Sequence, residues 1–496
     1  EMRTGVFKFM SNKAQARPIT RTVIQRQEIR RRPALERIRD FEEVSLGLSH
    51  EQAIMEASRC LQCPIPTCIR ACPVGIDIPA FIKHIRDDDC KLAVRVLRNK
   101  NSIPEITGRV CPQERLCEAV CLLAKKGEPV AIGALERFAA DHSNDLEFRV
   151  EESSGKRVAV IGSGPAGLTV AADLQRLGHQ VTIYEALHEP GGVLTYGIPA
   201  FRLPKEMVRK AVDYIQGLGV KIEKNIVIGK TLTVGELLES GFDAVFIASG
   251  AGSPKFLGVP GENLIGVYSA NEFLTRCNLM KAYKFPEYDT PIIIGRRVVV
   301  IGGGNVAMDA ARTALRLGSE RVHIVYRRTE KEMPARLEEI ENAKSEGVQF
   351  MTLTNVVRIL GDGGSRVIGL ECVKMELGER DSSGRSKPIE VRGSNFRLDA
   401  DVVIIAIGQA PNPIIRQTTP RLKVDEDGYI IVDGRGRTSR PMIWAAGDIV
   451  PGSDTVIEAM SGGRKVSRDI HLFLTSRLRA LHLLSLIHIS EPTRPY

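Results

Sequence analysis

The sequence predicts an α/β protein: two Rossmann-like dinucleotide-binding domains preceded by an α-helical, cysteine-bearing domain. Three observations carry that expectation. A strand, glycine turn, helix and strand occur in that order twice, roughly 140 residues apart, as two βαβ units would. Eight of the ten cysteines fall between Cys60 and Cys121. The chain is 496 residues long, with 45 glycines and 43% hydrophobic residues. That composition suits a globular α/β chain of about three domains.

No apolar run reaches the ~18 residues that cross a bilayer. The first ten residues hold no apolar core followed by a small-residue cleavage site, so no signal peptide is expected. A cytoplasmic location follows as the expectation, with free or metal-bound thiols rather than disulfides. The chain opens on Glu1 rather than Met, which suggests a fragment edge. Residues 484–494 (LSLIHISEPTR) resemble the conceptual translation of a transposase sequencing adapter. They are set aside, and the authentic protein is expected to end before Leu484.

From the N-terminus, residues 1–48 read as a basic arm. Arg17, Arg21, Arg26, Arg30, Arg31, Arg32, Arg37 and Arg39 supply much of the net charge of +9. Such a run can bind nucleic acid, but no nucleic-acid motif accompanies it. Packing on an acidic surface, of a partner subunit or of this protein itself, is expected instead. Ser49 and Gln52 form a capping box that opens a helix leading into the first cysteines. Residues 49–145 form the helical domain, and the polar stretch 145–155 reads as a linker.

The first cysteine group is Cys60-x2-Cys63-x4-Cys68-x3-Cys72-Pro73, and the second is Cys111-Pro112-x4-Cys117-x3-Cys121. Closely spaced cysteines ending in Cys-Pro resemble the bacterial ferredoxin run. Thiolates suit zinc as well, but zinc ribbons favour repeated Cys-x2-Cys knuckles and one such pair occurs here. Iron–sulfur is the favoured reading. Seven cysteines leave two four-cysteine clusters one ligand short. Cys90 is a candidate for the eighth, although RDDDCKLAV looks like an ordinary helical thiol, and spacing alone does not choose.

Arg157 to Ile161 then forms an apolar strand, followed by Gly162-Ser163-Gly164-Pro165-Ala166-Gly167 and a helix. Gly162 permits the tight turn, Gly164 close approach to a pyrophosphate, and Gly167 close helix–strand packing. Glu185 ends the next strand, where a carboxylate accepts from ribose hydroxyls. The second copy reads Gly302-Gly303-Gly304-Asn305-Val306-Ala307. Arg327 and Arg328 replace the acidic residue there, and two guanidiniums suit a 2′-phosphate. The first site is therefore expected to hold FAD or NAD and the second NADPH; surface ion pairing is the bland alternative for the arginines. The strand ending Gly447-Asp448 favours FAD at the first site. So does the helix after Asp454 and Thr455, whose N-terminus can face the flavin pyrimidine. The layout is disulfide-reductase-like, yet Gly191-Gly192-Val193-Leu194 carries no redox cysteine. Electrons must leave the flavin by another route. The expected boundaries are 156–290 and 409–475 for the FAD domain and 291–408 for the NADPH domain.

EASRCLQC, GRVCPQERLCEAVC, KKGEPVAIGALERF, GGVLTYGIPAFRLPK, VVVIGGGNVAMDAAR, VYRRTEKEMPA and AAGDIV resemble one family together. From about Phe41 to Leu474 the chain resembles the small (β) subunit of NADPH-dependent glutamate synthase. Relatives include the large subunit of the electron-bifurcating NADH-dependent ferredoxin–NADP oxidoreductase and the N-terminal half of dihydropyrimidine dehydrogenase. The resemblance implies two [4Fe-4S] clusters, one on Cys60, Cys63, Cys68 and Cys121. The other would take Cys72, Cys111, Cys117 and a non-cysteine ligand, Glu136. Many relatives carry a further, non-ligating cysteine where this chain has Thr107. For FAD the resemblance implies Gly162, Gly164, Ala166, Gly167, Glu185, Gly192, Leu194, Arg202, Gly447 and Asp448. For NADPH it implies Gly302, Gly304, Asn305, Val306, Arg327, Arg328 and Gly408.

Hydride transfer to flavin needs stacking and orientation more than acid–base help, so no catalytic side chain is nominated. The implied activity is NADPH-dependent electron input. The implied partner is a glutamate synthase large (alpha) subunit or, alternatively, a ferredoxin-reductase-like flavoprotein subunit. From another class, a non-catalytic scaffold is opposed by the intact glycines, arginines and cysteines.

Overall fold

A computed structural model describes residues 24–143, 149–380, 384–452 and 455–476. Arg17, Arg21, Asp454 and the segment 484–494 lie outside the described residues. Within them, no helix is long and apolar enough to cross a membrane.

RVAVI forms the strand Arg157–Ile161, buried at every position after the first. A near-continuous apolar run is what a parallel strand covered on both faces requires. It lies inside a five-stranded parallel sheet ordered Ile443–Ala445, Ala244–Ile247, Arg157–Ile161, Gln180–Tyr184, Lys221–Glu223. The helices Pro165–Arg176 and Val456–Thr475 pack together on one face. RVVVI repeats the arrangement as Arg297–Ile301 in a second parallel sheet: Gln349–Met351, Arg321–Val325, Arg297–Ile301, Val402–Ile405, Val267–Ser269. In both sheets the strand before the glycine turn has a neighbour on each side reached by opposite crossovers. The turn therefore opens at a topological switch point, where α/β sheets bind ligands.

Two features depart from the expected plan. Val267–Ser269 precedes residue 291 yet belongs to the second sheet, paired with Val402–Ile405 through Val403 to Ile405. An antiparallel sheet also lies between the last two strands of that unit. It comprises Thr354–Gly361, Val367–Arg380 and Ser386–Glu390, with Phe396–Asp399 against Val367–Arg380. Its first two strands cover the second parallel sheet with Val356, Ile359 and Leu370, while its far end alternates outward as a one-faced sheet does.

The N-terminal helices His50–Ser58, Ile78–Arg86, Cys90–Arg98, Pro104–Val110 and Ile132–His142 share a core with the first parallel sheet. The Ser49–Gln52 capping box is formed in full. The described part of the basic arm packs on this protein itself. Arg26 pairs with Glu118, Arg31 with Glu338, and Arg37 with Glu346. Arg30–Arg31 also pairs as a short strand with Ser45–Gly47.

Candidate functional site

At the first glycine turn, each glycine answers a separate steric demand. Gly162 has φ +98°, and a Cβ there would stand 2.5 Å from the Ala248 carbonyl oxygen. A Cβ on Gly167 would stand 2.0 Å from the Gly162 carbonyl oxygen, so only glycine lets the helix meet the strand. Gly164 faces open space, leaving its backbone approachable at the N-terminus of Pro165–Arg176. Gly192 closes over it from the far side: its Cβ would lie 2.9 Å from the Gly164 Cα. Gly447 meets Ala166, and Leu194 is fully buried beneath. The open space at Gly164 and the cradle between Gly164 and Gly192, at a helix N-terminus, fit a pyrophosphate.

Glu185 ends its strand as expected and is buried. One oxygen accepts from the Ser163 amide and hydroxyl, the other from the Leu187 amide at 2.9 Å. Asp448 lies near enough to Tyr196 to act on its hydroxyl, which burial first, then Asp448 and Glu185, push up to about 12. Thr455 caps the last helix through the Glu458 amide. Arg202 is held by Asp309 at 2.6 Å and Glu339 at 3.3 Å, where the first unit meets the second.

The second turn repeats the steric logic. Gly302, at φ +145°, would set a Cβ 2.3 Å from the Ala406 carbonyl oxygen, while Gly304 and Gly408 have open surroundings. Asn305 Oδ1 accepts from the Arg336 amide at 2.9 Å, and Val306 is exposed at the helix start. Arg327 is exposed, with no ion pair or hydrogen bond among the described residues. Arg328 is buried and donates Nε to the Ser386 carbonyl at 2.8 Å. A cleft of about 360 Å³ lies at this side of the second unit, lined by Arg115, Lys331, Arg380 and Arg385 among others. Its cationic lining and its polar Ser386 fit a phosphoryl group.

The cysteines separate into two groups. Burial raises the Cys60 thiol, and the charges of Cys63 and Cys121 raise it further. Cys68 is pushed to about 11 by burial, Cys60 and Cys121. In the second group burial again leads: Glu136 and Cys72 raise Cys111, and Cys111, Glu136 and Cys72 act on Cys117. Glu136 also acts on Cys72. Cys90 answers only to burial, Asp88 and Asp89, and stands apart from both. Glu136 is buried, which pushes its carboxyl up to about 7 even though Thr107 and Asn101 hydrogen-bond to it.

Crowded sulfur donors that resist ionisation alone are stabilised as thiolates by a cationic centre. Among the described residues, no three His, Cys, Asp or Glu side chains converge as a single metal ion requires. A tetrahedral zinc site with ~2.3 Å bonds holds its sulfurs roughly 4 Å apart. A four-iron cube gives each thiolate its own iron and spaces the sulfurs more widely. Crowded thiols beside one buried carboxylate are a donor set whose chemistry suits iron–sulfur clusters.

Sequence reasoning missed several residues at the site. Ser163 links the Glu185 carboxylate to the Gly191 amide, which donates to the hydroxyl at 2.9 Å. Lys205 is half-buried, donates to the carbonyls of Leu194 and Ile198, and is lowered to about 7, chiefly by desolvation. Asn101 bonds Glu136 at 2.8 Å. Only Ser163, inside the glycine motif, had a local signal; the others act through tertiary neighbours.

The family model for the pyridine nucleotide-disulphide oxidoreductases matches residues 156–463. The model for dihydropyrimidine dehydrogenase domain II, a 4Fe-4S cluster domain, matches residues 37–147. The small chain of NADPH glutamate synthase from Escherichia coli (strain K12) is 38% identical over 458 residues, 90% of this chain and 97% of that protein. The beta subunit of the NADP(+)-dependent formate dehydrogenase of Moorella thermoacetica is 38% identical over 435 residues, 82% of this chain and 60% of that longer protein. Among solved structures, Mycobacterium tuberculosis FprA in complex with NADPH aligns with a TM-score of 0.55 at 24% identity. It covers 68% of this chain and 87% of FprA, a likeness of fold.

Proposed function

The chain belongs to the family of the NADPH glutamate synthase small chain, a branch of the pyridine nucleotide-disulphide oxidoreductases, and from that membership we propose that it is an electron-input subunit of glutamate synthase. It oxidises NADPH in the cytoplasm and delivers electrons to a large subunit that makes glutamate from glutamine and 2-oxoglutarate. Bound FAD supplies the conversion of a hydride into single electrons, and two [4Fe-4S] clusters supply the outward path.

The observation that carries this reading is spatial. Cysteines of both groups, Cys60, Cys68 and Cys121 on one side and Cys72, Cys111 and Cys117 on the other, pack on the same hydrophobic core as Ala166 of the first glycine turn. The loop at Gly191–Leu194, where a disulfide reductase would hold its cysteine pair, offers none. In this reading Gly162, Gly164 and Gly192 seat the FAD pyrophosphate, with Ala166, Gly167, Leu194 and Gly447 shaping the cradle. Glu185 exchanges its Ser163 and Leu187 bonds for ribose hydroxyls, and Asp448 faces the flavin side. Gly302, Gly304, Asn305, Val306 and Gly408 receive NADPH, with Arg327 on the 2′-phosphate. Cys60, Cys63, Cys68 and Cys121 hold one cluster; Cys72, Cys111, Cys117 and Glu136 hold the other.

Iron, acid-labile sulfide and flavin analysis of anaerobically purified protein, followed by NADPH titration, tests the reading. Two four-iron clusters per flavin are expected, with bleaching of the flavin by NADPH. Zinc in place of iron, or a flavin that NADPH leaves oxidised, would overturn it. The formate dehydrogenase relative keeps a similar chain beside a different catalytic function. A second reading therefore changes only the partner, and co-purification decides: glutamine-dependent activity supports the first, a second flavoprotein or another dehydrogenase the other.

A further inference from the structure

Glu136 is the one oxygen donor among the eight proposed ligands, and its surroundings are more specific than its role as a ligand demands. Three elements meet at its carboxylate. Asn101 lies between the helices Cys90–Arg98 and Pro104–Val110, Thr107 sits on the second of these, and Glu136 on Ile132–His142. All three are buried, at 0%, 1% and 6% exposure.

The protons can be assigned. The Asn101 Oδ1 accepts from the Ile103 amide at 3.0 Å, which fixes the orientation of the side-chain amide. Its Nδ2 then has two protons, and two acceptors lie in reach: Thr107 Oγ1 at 2.7 Å and Glu136 Oε1 at 2.8 Å. With its lone pair accepting from Asn101, the Thr107 hydroxyl is oriented to donate, and Glu136 Oε1 is its shortest neighbour at 2.6 Å. The Ile103 and Pro104 carbonyls, at 3.3 and 3.5 Å, are weaker competitors for that proton. Both bonds fall on one carboxylate oxygen. The charge of Glu136 acts on Cys72, Cys111 and Cys117.

We infer that Thr107 and Asn101 are positioning residues that bind Oε1 of Glu136, hold the carboxylate as a one-oxygen ligand through Oε2, and draw charge away from the iron it binds. The inference rests on the proposed ligand role of Glu136. A carboxylate free to rotate binds through either oxygen or both; two charge-assisted hydrogen bonds on one oxygen remove that freedom. Hydrogen bonds to a ligand also stabilise the reduced, more negative cluster, so they raise its reduction potential.

The test is potentiometric titration with electron paramagnetic resonance on the full chain. In Thr107→Val, which keeps shape and removes the donor, the potential of one cluster should fall, with iron content and the other cluster unchanged. NADPH should still bleach the flavin. Thr107→Ser, which retains the hydroxyl, should restore the wild-type potential. Unchanged potentials in Thr107→Val, or equal shifts in Val and Ser variants, would overturn the inference. Loss of one cluster in Thr107→Val but not in Thr107→Ser supports it. Glu136→Ala separates the two levels: if both cluster spectra survive it intact, the ligand reading itself fails. A changed spectrum in Glu136→Ala beside an unmoved Thr107→Val removes the positioning role alone.

Discussion

Arg327 and Arg328 are adjacent in the chain, yet their side chains have opposite settings, exposed for the first and buried on the Ser386 carbonyl for the second. Replacing both would confuse a ligand contact with a structural one. Arg327→Ala should remove a charge-assisted hydrogen bond to the 2′-phosphate, worth about 1.5–3 kcal/mol. That is roughly a ten- to hundredfold loss in kcat/KM for NADPH, with NADH little changed. Arg328→Ala should instead leave the Ser386 carbonyl without this donor, at a cost of about 1–3 kcal/mol in stability. It should weaken both nucleotides together. Steady-state kinetics with each nucleotide, beside a thermal melt, separates the two. Equal loss of NADPH and NADH in Arg327→Ala would remove its assigned role.

Helices Pro104–Val110 and Ile132–His142 meet closely because Gly108 has no side chain. A Cβ there would lie 2.6 Å from the Arg137 amide nitrogen and 2.8 Å from its Cα. Alanine gains about 1 kcal/mol in helix propensity, but contact with backbone cannot be relieved by a rotamer change. Overpacking of this kind costs about 1–3 kcal/mol, so Gly108→Ala should destabilise the protein. It should also spread Thr107 from Glu136 and lower the occupancy of that cluster first, which a thermal melt and iron analysis would show. The two βαβ units could be read locally, since burial on both faces makes RVAVI and RVVVI continuous apolar runs and the glycine turns are short-range motifs. Gly108 could not, because its neighbour is 29 residues away on another helix. The joining of Val267–Ser269 to the second sheet and the antiparallel layer were hidden for the same reason. Strand partners are chosen by tertiary packing. The division of the cysteines into quartets came from family resemblance, as spacing left the eighth ligand open.

At the scale of the whole molecule, two distant parts of the chain converge on one buried carboxylate. Arg37 comes from the basic arm, and Arg312 and Arg316 from the helix of the second glycine turn. Glu346 pairs with them at 2.8, 2.8 and 2.7 Å. Beside it, Arg312 and Arg316 lie over the ring of Phe201 at 4.6 and 3.9 Å, and Arg202 reaches across to Asp309. The arm, the first unit and the second are thus locked through charges that have left water. Assembling such a network stabilises little, because desolvation offsets the attraction, but removing one member strands the rest at about 3–5 kcal/mol. Burial pushes the Glu346 carboxyl up, yet the hydrogen bonds and charges of Arg312 and Arg316 outweigh it and hold it at about 2. A folded-state pKa below the unfolded value of 4.5 gives stability that is present above that value and lost as pH falls toward 2, about 3 kcal/mol in all. Glu346→Gln should therefore be less stable than the parent at pH 7 by about that much or more. The gap should narrow as pH falls below 4.5, because the unfolded parent then takes up a proton at this carboxyl while the folded one, held at about 2, does not. Denaturant titrations of both proteins at pH 7 and pH 3 measure the gap directly. A difference that stays constant between the two pH values would show that the Glu346 charge does not hold the arm to the second unit.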